Sequence, residues 1–193
     1  MFITIAGSQG SGKSTICKIL EKKYGFQHVK ISQIMRKMAE QRNITILEMN
    51  QLAELDPEID KLIDQTSIDI SNELLKANKH AIFDSRMAWH FVPNSIKVYV
   101  TADERVRAER ILNDDTRGSV ENFDKIDETI SSINNRMLSE NARYKKYYGV
   151  DNLDMSNYDL VLDSSNKTPE ELAEEIVNYA KENNVWSLWW MTF

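Results

Sequence analysis

Short apolar runs alternate with segments of helical periodicity along this chain. The first run, residues 2–6, is rich in β-branched residues and predicts a buried strand. Strands are predicted over residues 2–6, 26–31, 80–84, 95–101 and 158–163. Helices are predicted over residues 14–23, 32–42, 45–54, 56–77, 102–112, 127–148 and 169–182. Strands that alternate with helices predict an α/β fold, a three-layer αβα arrangement around a parallel five-stranded sheet with right-handed crossovers.

Three of the predicted helices carry start signals. Ser32 is expected to cap the second helix, and Thr45 with Glu48 three residues later forms the pattern of a capping box. Asp56 is followed by Pro57, which favours an early helical position. Because ligands of such folds bind outside the carboxyl ends of the strands, residues just after each strand are the first candidates for chemistry.

The segment after the first predicted strand matches the phosphate-binding pattern G-x-x-x-x-G-K-[ST]. A strand precedes it and a helix follows it, so backbone N–H groups and a helix N-terminus point at the same phosphate. Lys13 is expected to reach the β- and γ-phosphates, and Ser14 to ligate Mg²⁺. This P-loop predicts binding of a nucleoside triphosphate. Its predicted binding residues are Gly7, Ser8, Gln9, Gly10, Ser11, Gly12, Lys13, Ser14 and Thr15.

Composition limits the other classes of function. The 193 residues are enough for one domain, and a net charge of −6 argues against a broad nucleic-acid surface. No apolar run approaches the ~20 residues of a membrane span. Cys17 is the single cysteine, so it has no partner for an internal disulfide and is interpreted as a small buried apolar residue. The chain starts directly on the first predicted strand, without a signal sequence, so we expect a cytoplasmic protein that binds neither nucleic acid nor membrane.

Two arginines follow the second and third predicted strands. Arg36 lies one turn into the next helix and Arg86 lies two residues after the strand, so both are expected at the ligand edge of the sheet. A guanidinium grips a phosphate in bidentate fashion, and the pair is predicted to hold a second phosphorylated substrate. Surface or salt-bridged arginines are the alternative.

Four further arginines are candidates for the transferring phosphoryl group. Arg110 and Arg117 flank the polar segment after the fourth strand, which is expected to close over the triphosphate. Arg136 and Arg143 are two turns apart on one predicted helix and can face the same cleft. A charged run along a solvated helix face is the alternative.

One acid at a strand end is a candidate for metal binding. Asp84 ends an apolar strand, as a Walker-B acid does, and is expected to hold Mg²⁺ close to Ser14. A helix cap or a turn is the alternative. The histidines at 28, 80 and 90 lie on different predicted elements, and none is interpreted as a metal ligand.

From residue 2 to about residue 183 the chain resembles the nucleoside monophosphate kinases, and among them the archaeal-type cytidylate kinases. The more specific pieces are Asp56-Pro57-Glu58-Ile59-Asp60 and the pattern Arg-Tyr-x-x-x-Tyr-Gly-x-Asp over residues 143–151. Val106-Arg107-Ala108-Glu109-Arg110-Ile111 and Tyr158-Asp159-Leu160-Val161 extend the resemblance. The P-loop is shared by many families and adds less.

The resemblance implies phosphoryl transfer from ATP to CMP or dCMP, with Mg²⁺, in a single kinase domain over residues 1–183. It implies that Arg36 and Arg86 hold the acceptor phosphate, that residues 37–75 form an acceptor-binding lobe, and that residues 112–122 form a lid. Family lid arginines correspond best to Arg110 and Arg117, with Arg136 and Arg143 reaching in from the following helix. By position alone, Asp60, Asp64 and Gln65 are candidate readers of the acceptor base.

The chain departs from the family pattern around the acceptor. Ile31-Ser32-Gln33 replaces a small residue, Gly and Asp, while Ser85 and Trp89 replace two glycines. The bulky Trp89 is expected to narrow the acceptor pocket. Transfer to another nucleotide or small metabolite, or a nucleotide-binding regulator with little turnover, therefore stays open.

The segment 184–193 holds three of the four tryptophans and lies outside the resemblance. An exposed apolar patch of this kind is typical of an interface. We therefore expect either a monomer or a weak dimer that associates through this tail. A segment folded onto its own domain is the alternative.

Overall fold

Five parallel strands form the centre of the molecule, in the order β2-β3-β1-β4-β5. The computed structural model describes residues 1–113 and 123–183. The strands are β1 Phe2–Gly7, β2 Gln27–Lys30, β3 Ala81–Asp84, β4 Ser95–Thr101 and β5 Leu160–Asp163. The predicted α/β class, strand count and parallel direction are confirmed.

Helices connect successive strands and cover the sheet. They are α1 Lys13–Tyr24, α2 Ile31–Gln41, α3 Ile46–Leu55, α4 Pro57–Lys76, α5 Ala88–Phe91, α6 Glu104–Leu112, α7 Phe123–Tyr148 and α8 Pro169–Glu182. A single 3₁₀ turn, Met155–Asn157, precedes β5. No helix in the described ranges is long and apolar enough to cross a membrane.

The predicted helix starts are partly confirmed. Thr45 and Glu48 form the full capping box, and Asp56 accepts a hydrogen bond from the N–H of Glu58 at the start of α4. The predicted cap at Ser32 is wrong. Helix α2 begins one residue earlier, at Ile31, and no side chain caps it. Ser32 therefore lies inside the first turn, where its hydroxyl cannot take the N-cap position.

Two apolar layers sandwich the sheet because alternate strand residues point to opposite faces. Ile3 and Ile5 pack with Ile16, Cys17 and other buried residues of α1 and α8 on one face. On the other face, strand side chains such as those of residues 2 and 83 pack against α2, α3, α4 and α5. The central strands β1 and β3 are therefore buried on both faces, whereas Val161 of the edge strand β5 is 44% exposed.

Helix α5, which the sequence pattern did not predict, holds Trp89 in a small aromatic cluster. The Ser85 hydroxyl accepts hydrogen bonds from the N–H groups of Met87 and Ala88 as the chain enters this turn. Trp89 is 5% exposed, packs against Tyr158 with ring centroids 5.3 Å apart, and donates its indole N–H to Asn152 over 2.9 Å. Trp89 thus joins α5 to the segment before β5.

We expect Trp89→Ala to destabilise the protein by about 3–5 kcal/mol, because it removes a buried aromatic side chain and one of the hydrogen bonds that Asn152 Oδ1 accepts. Urea denaturation followed by far-ultraviolet circular dichroism measures the change in the free energy of unfolding. Leu55→Ala is the control, since Leu55 is 83% exposed and should change stability by less than about 0.5 kcal/mol. An unfolding midpoint unchanged by the Trp89 substitution would contradict the packing described here.

Candidate functional site

The P-loop fits tightly against its neighbours at two glycines. Gly7 has φ +136°, and a Cβ there would lie 2.0 Å from the carbonyl oxygen of Val100. Gly10 has φ +76°, and a Cβ there would lie 2.5 Å from the carbonyl oxygen of Arg107. Any larger residue at these positions would strain its own backbone and would also clash with the backbone of Val100 or Arg107. The loop geometry therefore depends on β4 and α6 as well as on its own sequence.

Lys13 sits at the start of α1 with its ammonium folded back over the loop. Its Nζ donates hydrogen bonds to the carbonyl oxygens of Gly7 and Ser8, each over 2.6 Å. Burial lowers the pKa of Lys13 to about 8, while the nearby Asp84 carboxylate opposes this shift. The cation is thus held beside the loop in a partly desolvated place, where an anionic ligand would be strongly attracted.

Ser14 and Asp84 form an oxygen pair where β3 ends beside β1. The Ser14 hydroxyl donates to Asp84 Oδ2 over 2.6 Å, and Asp84 pairs in register with Ile5 of β1. Burial raises the pKa of Asp84, but His28, Ser14 and Lys13 together bring it below its ordinary value. The residue is therefore a carboxylate at neutral pH. A hydroxyl and a carboxylate are hard oxygen donors, so the pair fits Mg²⁺.

A cavity of about 600 Å³ runs from the P-loop to α4 and α7. It is lined by five cationic and four acidic side chains among the described residues. The structure brings thirteen of the sequence-predicted site residues to its wall: Gln9, Gly10, Gly12, Lys13, Ser14, Thr15, Arg36, Asp60, Asp64, Asp84, Arg86, Arg136 and Arg143. Gly7 and Ser8 instead line a smaller adjoining cavity, and Ser11 is buried with its hydroxyl bonded to the carbonyl of Ser8.

One buried carboxylate joins two of the cavity's arginines. Glu140 Oε1 accepts hydrogen bonds from Arg86 Nη1 and from Arg136 Nε, the latter over 2.9 Å. Glu140 is 7% exposed. A charge so far from water is stable only with partners of opposite sign, so the three side chains form one unit.

A second ion pair closes the far wall of the cavity. Arg143 Nε on α7 donates to Asp60 Oδ2 on α4 over 3.1 Å, and Arg143 Nη1 lies 3.7 Å from Glu54 Oε1. Ser139 also donates to Glu54, over 2.9 Å. These contacts hold α7 against α3 and α4. Helix α4 thus forms one wall of the cavity and α7 another, on the two sides of the predicted acceptor.

One further acid, Asp64, and a tyrosine shape the end of the cavity near α4. Asp64 lines the cavity and accepts a hydrogen bond from the Tyr148 hydroxyl. Burial raises the pKa of Asp64 to about 7, although the bond from Tyr148 acts in the opposite direction. Burial also raises the pKa of Asp60, against the opposing effect of Arg143. This end therefore carries a carboxyl group that titrates near neutral pH.

Several sequence predictions fall elsewhere. Trp89 does not line the cavity, so the expectation that it narrows the acceptor pocket is wrong; helix α5 turns its indole into the cluster with Tyr158. Arg110 does not line the cavity either. Its guanidinium donates to Ser164 Oγ over 2.9 Å and to the Ser164 carbonyl over 2.7 Å, and its predicted role at the transferring phosphoryl stays a prediction. Arg117, most of the predicted lid and the tail 184–193 lie outside the described residues.

Sequence reasoning missed Glu140, Tyr144 and Tyr148, which lie on α7. Tyr144 and Tyr148 belong to the Arg-Tyr-x-x-x-Tyr-Gly-x-Asp pattern over residues 143–151 but were given no role in the site, and no motif marks Glu140. The spacing of Arg136 and Arg143 carried the signal, because Glu140 is one turn from each along the same helix face. Extending that face by one more turn would have reached Tyr144, which lines the cavity.

Comparison with known proteins identifies the family. A sequence model of the cytidylate kinase-like family matches residues 2–166. The chain is 36% identical over 171 residues to a cytidylate kinase of Pyrococcus abyssi, covering 88% of each chain. It is 37% identical over 189 residues to a cytidylate kinase of Sulfolobus acidocaldarius, covering 97% of this chain and 98% of the relative.

The fold is shared more widely. Shikimate kinase from Aquifex aeolicus superposes with a TM-score of 0.55 at 18% identity, covering 96% of this chain and 99% of that one. At that identity the likeness shows a P-loop kinase fold and nothing about the acceptor. The family model and the two archaeal relatives decide the narrower question, and this chain belongs to the cytidylate kinase-like family.

Proposed function

We propose that this protein transfers the γ-phosphoryl group of ATP to a pyrimidine nucleoside monophosphate, CMP or dCMP, giving the diphosphate and ADP. One observation carries the proposal. A single cavity of about 600 Å³ is lined by the P-loop residues Lys13 and Ser14 and by the arginines Arg36, Arg86 and Arg143. A cavity with two separate groups of phosphate-binding residues suits a reaction between two phosphorylated molecules.

On the donor side, Lys13 and the loop N–H groups bind the triphosphate. An incoming phosphate oxygen competes with the carbonyls of Gly7 and Ser8 for the Lys13 ammonium. Ser14 and Asp84 would hold Mg²⁺, which would neutralise charge on the β- and γ-phosphates. Arg110 ties the segment after β5 to the loop, since it donates to Ser164 and lies 3.4 Å from the Gly10 carbonyl.

On the acceptor side, Arg86 and Arg36 bind the phosphate of the monophosphate. Glu140 holds Arg86 until the phosphate arrives, and Arg136 keeps a partner in Glu140 when Arg86 turns to the substrate. Residues 37–75 act as the acceptor-binding lobe and residues 112–122 as the lid in this proposal. Of the lobe, Asp60, Ile63 and Asp64 line the cavity, which supports the first assignment.

The chemistry needs position and charge neutralisation, with no covalent intermediate. An oxygen of the acceptor phosphate attacks the γ-phosphorus, and the bond from that phosphorus to the bridging oxygen of ADP breaks. That acceptor oxygen is already ionised at neutral pH, so no general base is required. Lys13 and Arg136, which both line the cavity, stabilise charge on the transferring group, and Arg117 of the predicted lid completes this set.

A cytoplasmic setting is part of the proposal. The single cysteine supports it, because the protein has no intramolecular disulfide to depend on an oxidising compartment.

Lys13→Ala should impair the use of ATP, whereas Arg86→Ala should impair the use of the acceptor. We expect Lys13→Ala to lower turnover at least about a hundredfold with every acceptor, because the γ-phosphate loses its main cation. Arg86→Ala should raise KM for CMP about tenfold or more, while the Kd for ATP measured by calorimetry changes less than about twofold. Arg105→Ala is the control, since Arg105 is exposed and pairs with Glu109. Equal loss of ATP binding in both variants would contradict the division of the cavity.

Asp64 is predicted to select for the exocyclic amine of cytosine. Its ionised carboxylate accepts from an amine but repels the carbonyl oxygen that uracil carries there. We expect Asp64→Asn to raise the ratio of kcat/KM for UMP to that for CMP about tenfold or more, because an amide also donates. The same ratio should rise in the wild type as pH falls through about 7, where Asp64 gains a proton. Asp69→Asn, exposed on the same helix, is the control. A ratio insensitive to both changes would remove Asp64 from the specificity site.

A further inference from the structure

A cysteine, a histidine and an aspartate meet where α1 packs over the ends of β2 and β3. Cys17, His28 and Asp84 each offer one ligand atom, and these atoms lie within 4.8 Å of one another. Cys17 is fully buried, and the side chains of His28 and Asp84 are 3% and 10% exposed. No local sequence pattern predicts this cluster, because its members lie 11 and 56 positions apart along the chain.

His28 is held in a way that its own packing does not explain. Its Nε2 has no hydrogen-bond partner among the described residues and lies 3.6 Å from Asp84 Oδ2, beyond hydrogen-bond length. A buried polar atom without a partner costs free energy, so such an atom calls for an explanation. A cation between His28, Asp84 and Cys17 would supply the missing partner.

A carboxylate lies on the opposite side of the His28 imidazole ring. His28 Nδ1 lies 3.8 Å from Glu21 Oε2, on the next turn of α1 from Cys17. Histidines that bind metals in proteins usually have a carboxylate or carbonyl behind the ring. Glu21 Oε2 lies on that side of His28, within ion-pair distance but beyond hydrogen-bond length, while Nε2 faces Asp84.

We propose that Cys17, His28 and Asp84 form a binding site for a thiophilic divalent cation of the Zn²⁺ class. A thiolate, an imidazole and one carboxylate oxygen are the ligands that Zn²⁺ prefers, whereas Mg²⁺ and Ca²⁺ prefer oxygen alone. Three protein ligands leave a fourth tetrahedral position for water. Binding forms a metal–sulfur bond and releases the thiol proton to solvent, with no change of oxidation state.

Occupancy of this site has a consequence for the neighbouring nucleotide site. Asp84 Oδ2 accepts the hydrogen bond from Ser14, so a cation that takes Asp84 withdraws it from the oxygen pair beside the P-loop. We therefore expect Zn²⁺ to inhibit phosphoryl transfer. This consequence rests on the proposed function, whereas the binding itself does not.

Cobalt(II) binding to the purified full chain tests the site directly. Because the chain has one cysteine, a thiolate-to-cobalt charge-transfer band can come only from Cys17. We expect one equivalent of Co²⁺ to produce this band and Zn²⁺ to abolish it by displacement. Cys17→Ser should remove the band, and His28→Gln should weaken Co²⁺ binding at least tenfold. His90→Gln, exposed on α5, is the matched control and should leave both unchanged.

Absence of the band in folded wild-type protein at saturating Co²⁺ would overturn the proposal, and so would a band that survives His28→Gln undiminished. Circular dichroism of each variant shows that it is folded. If Cys17→Ser does not fold, the comparison of Co²⁺ binding between His28→Gln and the wild type alone decides whether the site exists. The ratio of turnover with and without Zn²⁺ is a separate measurement, and we expect it to fall in the wild type and to recover in His28→Gln. A preparation without turnover would contradict the proposed function and leave the cobalt result intact.

Discussion

The charge balance of one cavity is the constraint on which the site depends. Arg86 and Arg136 share the buried carboxylate of Glu140, and Arg143 pairs with Asp60. Glu140 and Asp60 are buried carboxylates, 7% and 6% exposed, and a buried carboxylate without cations beside it would be strongly destabilising. In the proposed function, phosphate groups of the substrates take the place of carboxylates beside these arginines.

The strand order explains how the two halves of this cavity meet. Strand β1 lies between β3 and β4, so the P-loop after β1 comes directly beside Asp84 at the end of β3. Helix α4 carries Asp60 and Asp64, and α7 carries Glu140 and Arg143, on the two sides of the space that remains. A P-loop kinase fold needs only its sheet and first helix to bind a triphosphate. The ion pairs between α4 and α7 add the second binding surface.

Sequence patterns predicted most of the sheet and much of the site, for identifiable reasons. Strand β4 and helix α8 have the predicted bounds. The structure adds a capping box of Thr168 with Glu171 at the start of α8, which the sequence analysis did not use. Helix α5 is a single turn, too short for any periodicity, and without it the direction of Trp89 could not be known. Pairings such as that of Glu140 with Arg86 depend on how helices pack, and no local pattern encodes them. The cluster of Cys17 with His28 is of the same kind.

In the proposed function, the cavity binds ATP and a cytosine nucleotide side by side so that the γ-phosphoryl group passes from one to the other. Coupled measurement of ADP release with MgATP against CMP, dCMP, UMP, dUMP, AMP and GMP tests it most directly. The account predicts rapid turnover with CMP or dCMP and little with the other acceptors. If protein that still binds ATP released no ADP with any of the six acceptors, the proposed phosphoryl transfer to a cytosine nucleotide would be contradicted. A nucleotide-binding regulator, or a kinase for a different acceptor, would then be the better description.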